Sequence, residues 1–152
     1  PTTQLCIEAL EAVVQPELEL LDLGTGTGIL ALAAAKLGVQ SITAVDNYAE
    51  AVTVARRNAR NNHVAEGIHL IHGSLEDAEG PYDLILANIL APTIISMAEK
   101  GLERHLRPGG RLIASGILQE QAQEVSDVLE TYGLTVTEVR QKEDWIALVA
   151  KK

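Results

Sequence analysis

The stretch Glu19-Leu20-Leu21-Asp22-Leu23-Gly24-Thr25-Gly26-Thr27-Gly28-Ile29-Leu30-Ala31 decides the fold. Residues 19–23 form a short apolar run that stops at glycine, which predicts a buried strand. Residues 29–37 are rich in Ala and Leu, strong helix formers, and Gly38 stands where a helix closes in the left-handed conformation. Between the two, three glycines alternate with threonines. Glycine lets the chain turn sharply and lets a ligand approach the backbone, so strand, turn and helix together read as a ligand-binding crossover, with a merely structural turn as the alternative. The spacing is G-x-G-x-G. It departs from the dinucleotide fingerprint G-x-G-x-x-G, whose last position is Ile29 here, and it lacks the lysine of a phosphate-binding loop. Asp22 adds a sign: a carboxylate repels a pyrophosphate and attracts a cation.

Outward from this stretch the chain alternates helix and strand. Residues 2–14 place Leu5, Ala9, Leu10 and Val13 at helical spacing. Residues 41–45, 68–71, 82–87 and 111–117 read as strands, and the fourth of the series, 82–87, is almost wholly apolar, as a strand buried on both faces should be. Helices are expected over 48–62, over 90–106, where Leu90, Ile94, Ala98, Leu102 and Leu106 recur every four residues, and over 119–132. Pro108-Gly109-Gly110 is expected to break the chain before the fifth strand. Two final strands, 134–139 and 145–149, are expected to form an antiparallel hairpin around the charged turn 140–144. The fold class is therefore α/β, a doubly wound, Rossmann-like sheet of seven strands, mostly parallel, closed by an antiparallel hairpin.

Ligands of such sheets bind beyond the carboxyl ends of the strands. Asp46 ends the second strand, 22 residues after Gly24, where an acid can accept both ribose hydroxyl protons; capping the next helix is its alternative role, shared with Asn47. The loop His72-Gly73-Ser74-Leu75-Glu76-Asp77 follows the third strand, and Glu76 or Asp77 could accept from an adenine amino group. Asn88 ends the fourth strand, where a polar amide needs a partner and can orient a substrate nitrogen or cap a helix. His63, His69, His72 and His105 show no metal-ligand spacing, Cys6 reads as a packing residue, and Arg56, Arg57 and Arg60 read as a solvated basic face. We expect no metal site.

Composition narrows the function. The chain has 152 residues, 47% hydrophobic and 22% charged, enough for one domain with a real core and unlike a disordered or collagenous chain. Twelve basic residues against 21 acidic ones give a net charge of −9, which disfavours general nucleic-acid affinity and would attract a basic protein. With three Tyr, one Trp and no Phe there is little to stack bases on. The single Cys6 excludes an internal disulfide and fits a cytoplasmic setting. No apolar run approaches the length of a membrane span, and we expect no signal peptide. The chain opens on Pro1, not Met, which we read as part of a longer chain.

Asp22 to Gly28, then Asp46, then Pro108-Gly109-Gly110 and the final hairpin resemble the seven-stranded S-adenosylmethionine-dependent methyltransferases, over essentially the whole chain. Pro1-Thr2-Thr3, Ala87-Asn88-Ile89-Leu90-Ala91, Ser115-Gly116-Ile117-Leu118 and Trp145 together resemble the catalytic domain of the ribosomal protein L11 methyltransferases. The resemblance implies cofactor contacts from Thr3, Gly24, Asp46 and Asn88. The candidate cofactor site is Thr2, Thr3, Asp22, Gly24, Gly26, Asp46, Asn47, Ser74, Leu75 and Asn88, with Asn88 also the candidate catalytic residue. It implies methyl transfer from S-adenosylmethionine to lysine or amino-terminal nitrogens of a basic ribosomal protein, with no nucleic acid or membrane as direct partner. The family has a separate amino-terminal recognition domain and a Gly-Thr-Gly-x-His stretch before Pro-Thr-Thr, neither within residues 1–152, which we read as a single methyltransferase domain. It also has Ile-Asp-Pro where Asn47-Tyr48-Ala49 stands. The alternatives are another acceptor (a small molecule, a glutamine amide or a base), a nicotinamide oxidoreductase, and a cofactor-binding homologue without activity.

Overall fold

In a computed structural model, which describes residues 1–152, the apolar runs become the strands of a single sheet. The strands are β1 (Glu19–Leu23), β2 (Ser41–Asp46), β3 (Ile68–His72), β4 (Tyr82–Asn88), β5 (Leu106–Leu118), β6 (Thr135–Lys142) and β7 (Trp145–Lys151). Their order across the sheet is β3-β2-β1-β4-β5-β7-β6. The first five are mutually parallel, and β7 runs antiparallel between β5 and β6. Five helices flank the sheet: α1 (Thr2–Val13), α2 (Ile29–Lys36), α3 (Ala49–Asn61), α4 (Ala91–Glu99) and α5 (Ala122–Thr131).

Because side chains alternate across a strand, each strand feeds two cores. Leu21, Leu23, Ile85, Ala87, Leu112 and Ala114 pack with Ile94 and Ala98 of α4 and Val125 and Leu129 of α5. Leu20, Leu84, Leu86 and Ile113 face the other way, against Cys6, Ala9 and Leu10 of α1 and Leu30, Ala31 and Ala34 of α2. The β1 and β4 leucines are no more than 1% exposed, and full burial of each such side chain is worth about 1.5–3 kcal/mol.

Several expected boundaries move. The helix expected over 90–106 is α4 alone, ending at Glu99. Gly101 then takes φ +95 and starts a short 3-10 turn, Leu102–His105. Leu102 and Leu106 are each 1% exposed, so their four-residue spacing recorded burial and not a continuing helix. The expected break at Pro108-Gly109-Gly110 lies inside β5, which is longer than the expected 111–117. There Gly109 N–H donates to Lys152 O (3.0 Å) and Lys152 N–H donates to Gly110 O (2.9 Å). The helix expected from residue 119 begins at Ala122, after a 3-10 turn at Gln119–Gln121. The hairpin turn is shorter than 140–144: Arg140 to Lys142 remain in β6, and Glu143 turns the chain at φ +56.

β1 is flanked by β2 on one side and β4 on the other, so the crossovers leaving β1 and β4 diverge between them. That divergence opens a crevice beyond their carboxyl ends, bordered by residues 24–28 and 88–90.

Candidate functional site

The loop after β1 is built from three residues in the left-handed region, Gly24, Gly26 and Gly28, at φ +66, +57 and +85. At Gly24 a Cβ would lie 2.6 Å from the Ile89 Cγ2 atom, so the end of β4 is packed directly onto the loop backbone. Gly24 N–H and Thr25 N–H both donate to Val45 O, at 2.8 and 3.0 Å, which ties the loop to β2. Asp22 lies beneath it, 1% exposed. Its Oδ2 accepts from the Thr25 hydroxyl at 2.7 Å and from Ala31 N–H at 3.2 Å, pinning both the loop and the first turn of α2. Burial pushes the Asp22 carboxyl up to about 7. The Thr25 and Ala31 donors pull the other way, and the nearby charge of Asp46 pushes it further up.

Asp46 closes the loop from the side. Its Oδ2 accepts from Gly26 N–H at 2.9 Å and its Oδ1 from Tyr48 N–H at 3.0 Å. It is 7% exposed, and no side chain caps α3, so capping is not its role. Each carboxylate oxygen has a second lone pair, which leaves Asp46 able to accept two hydroxyl protons from a ligand.

Two cavities meet here. The first, about 410 Å³, is lined by Leu23, Gly24, Val45, Asp46, Asn47, Tyr48, Gly73, Ser74, Leu75, Ile89, Leu90, Thr93 and Met97. The second, about 360 Å³, is lined by Pro1, Thr2, Asn88, Ile89, Leu90, Gly116 and Trp145. Ile89 and Leu90 belong to both and form the wall between them. A break in the β5–β7 register between Ala114 and Ile117 leaves Ser115 and Gly116 free of the ladder beside Asn88. Ile89 N–H donates to Ser115 O (3.1 Å) and the Ser115 hydroxyl to Ile146 O (2.8 Å), so this edge is fixed on both sides.

The structure brings Gly24, Asp46, Asn47, Ser74 and Leu75 to the first cavity, and Thr2 and Asn88 to the second. Thr3 reaches the site through its hydroxyl, which accepts from Asn88 Nδ2 at 3.3 Å. Gly26 is spent on Asp46, and Asp22 lines neither cavity, supporting the loop from below. Asp77 accepts from Ser74 N–H at 2.8 Å in a capping box, which occupies a carboxylate that the sequence offered to an adenine. Tyr48, Thr93 and Met97 were missed. Leu90, Thr93 and Met97 share a helical stripe beside the buried Ile94 and Ala98, and that spacing was the available signal. Cys6 is fully buried, and burial, then the charge of Asp22, pushes its thiol up to about 12, against a Ser115 hydrogen bond that pulls it down.

Several solved proteins of like architecture are named as methyltransferases. One from Pyrococcus furiosus superposes with a TM-score of 0.79 at 23% identity, covering 94% of this chain and 79% of that one. An RNA methyltransferase from Salinibacter ruber, solved with S-adenosyl-L-homocysteine, gives 0.78 at 18% identity over 98% of this chain and 88% of its own. These likenesses are of fold, and the fold is that of the class I methyltransferases. Within it, the chain belongs to the ribosomal protein L11 methyltransferase (PrmA) family, whose model matches residues 1–152. It is 44% identical over 153 residues to the ribosomal protein L11 methyltransferase of an Exiguobacterium species and 43% over 152 to that of Bacillus cereus. The crystal structure of a ribosomal protein L11 methylase from Lactobacillus delbrueckii subsp. bulgaricus superposes with a TM-score of 0.93 at 36% identity, covering 98% of this chain and 77% of that one. The chain spans about half the length of the curated relatives it matches, 49% and 48%.

Proposed function

We propose that residues 1–152 form the methyl-transferring domain of an S-adenosylmethionine-dependent N-methyltransferase acting on lysine or amino-terminal nitrogens of a ribosomal protein. The reading is carried by one observation: two buried carboxylates, Asp22 and Asp46, flank a glycine loop at the sheet's switch point with no cation bonded to either. That arrangement suits a positively charged nucleoside and opposes a pyrophosphate. The relatives' names supply the acceptor class, and the net charge of −9 favours a basic one. Acceptor recognition, on this reading, rests with the part of the longer relatives that residues 1–152 do not span. A cytoplasmic setting follows from the same substrate; no helix is long and apolar enough to cross a membrane.

The residues present fit the cofactor. Asp46 would hold its ribose hydroxyls, Asn47, Ser74 and Leu75 its base, and the Gly24 backbone its amino-acid end, with Thr3 and Asn88 at the reacting side. When bound, S-adenosylmethionine supplies a methyl group on a sulfonium centre that is already an excellent leaving group. The chain's task is therefore positioning, which can supply up to about 7–11 kcal/mol of a barrier. The second cavity receives the acceptor: Ile89, Leu90 and Trp145 give an apolar wall for an aliphatic stem, and Asn88 orients the amine. Desolvation against that wall lowers the amine's pKa and delivers it neutral.

Titration of the purified protein with S-adenosylmethionine and with NAD separates this reading from a nicotinamide enzyme: binding of NAD alone ends it. Labelled methyl transfer to a basic protein mixture then tests activity. Asn88→Ala should lower turnover more than cofactor affinity, and the reverse ratio would remove Asn88 from the acceptor side.

A further inference from the structure

Asp22 is the one carboxylate of the site that the proposed chemistry leaves without a direct contact, and its surroundings are unusual. Every element packed around it offers a neutral or a negative group. Across the sheet it pairs with Ala44 of β2 and Leu86 of β4, both apolar. From α1 comes the Cys6 thiol, itself held neutral and bonded towards Ser115 of β5. From the loop and α2 come the Thr25 hydroxyl and the Ala31 N–H. The only charged neighbour is Asp46, of the same sign. The four ion pairs of the chain involve Arg107, Arg140 and Lys152, and none reaches it.

A carboxyl 1% exposed, with no cation beside it, holds its proton to a higher pH than a solvated one, and a positive charge nearby favours its release. We propose that Asp22 is a proton-coupled counterion: neutral when the first cavity holds no cation, and ionised, with release of its proton to solvent, when a positively charged ligand enters. Asp22 acts through the loop it supports, so it is a positioning residue and not a catalytic one. In the free protein its carboxyl titrates close to neutral pH, which places the coupling within an accessible range. Its sign is fixed: the ligand favours the ionised form, so affinity for a cation rises with pH up to that region and levels off above it. The inference rests on the S-adenosylmethionine reading, and the experiment keeps the two apart.

Three nucleosides are titrated calorimetrically against the protein between pH 5.5 and 8, in buffers of different ionisation enthalpy, so that proton release is measured with affinity. S-Adenosylmethionine carries a sulfonium and an ammonium against one carboxylate, S-adenosylhomocysteine the ammonium and the carboxylate, and methylthioadenosine none of the three. The adenosine moiety is common to all three, so effects of pH on its binding cancel in the ratios. We expect the S-adenosylmethionine to methylthioadenosine affinity ratio to rise about five- to tenfold across the range, with proton release on binding the former only. If S-adenosylhomocysteine follows S-adenosylmethionine, the ammonium is the sensed charge; if it follows methylthioadenosine, the sulfonium is. Asp22→Asn should flatten the ratio, and Thr25→Val, which removes a donor that favours the ionised form, should move its midpoint to higher pH. A pH-independent ratio in the unmodified protein overturns the proposal while leaving the cofactor reading intact. No binding of any of the three overturns the cofactor reading itself.

Discussion

Glu19 and Asp83 lie at the starting ends of β1 and β4; Asp22 and Asp46 lie at the finishing ends of β1 and β2. At the first end Arg107 joins the two acids, at 3.0 Å to Glu19 and 2.8 Å to Asp83, in a half-exposed network open to water. At the other end both acids are buried and neither has a basic partner. Five residues of one strand therefore join two electrostatic regimes. One holds its two acids on a single guanidinium of its own. The other has spent its acids on backbone and hydroxyl donors, which fixes their geometry and leaves both without a basic partner.

The sharpest way to break this contrast is through pH and stability. Because burial raises the Asp22 carboxyl above its unfolded value of about 3.9, the folded chain holds that proton more tightly than the unfolded one. The resulting stability is complete below pH 4 and is lost as pH rises towards about 7, at a slope of at most about 1.4 kcal/mol per pH unit. Asp22→Asn, which cannot ionise, should gain on the unmodified protein over that window. Thermal melts at several pH values check this, and an Asn variant that instead loses ground as pH rises would contradict it.

Next in size, Asp46→Ala should weaken S-adenosylmethionine binding by about 1–3 kcal/mol through loss of charge-assisted hydrogen bonds. Unchanged affinity by calorimetry would take Asp46 out of the site. The smallest effect belongs to the paired end: Arg107→Ala should cost little stability, less still in high salt, and leave cofactor affinity alone. Denaturant melts at low and high salt test it, and a loss of affinity would mean that the two ends are coupled.

Most of the architecture was legible because its signals are local. Apolar runs ending in Gly24, Asp46 or Asn88 mark strand ends whatever the rest of the chain does, and the glycine loop can be written in few other residues. Leu102 and Leu106 misled because burial against a sheet repeats at helical spacing until a residue such as Gly101 turns the chain away. The place of Asp22 was within reach: Leu20 and Asp22 sit two apart, on the face that packs under α1 and α2, so the carboxylate points inward. Thr93 and Met97 carried only the weak signal of their helical spacing, and Tyr48 carried none. They line the cavity because the start of α3 and the face of α4 border the crevice with the ends of β1 and β2, a fact of packing between segments distant in the chain.

Ile89 and Leu90, the wall common to both cavities, make neighbours of two chambers that otherwise draw on different parts of the chain. A single compound with a nucleoside arm in one and an aliphatic amine arm in the other would need only a short tether over that ridge. Its second arm would then bind at the high effective concentration of a linked group, giving an inhibitor far tighter than either fragment alone.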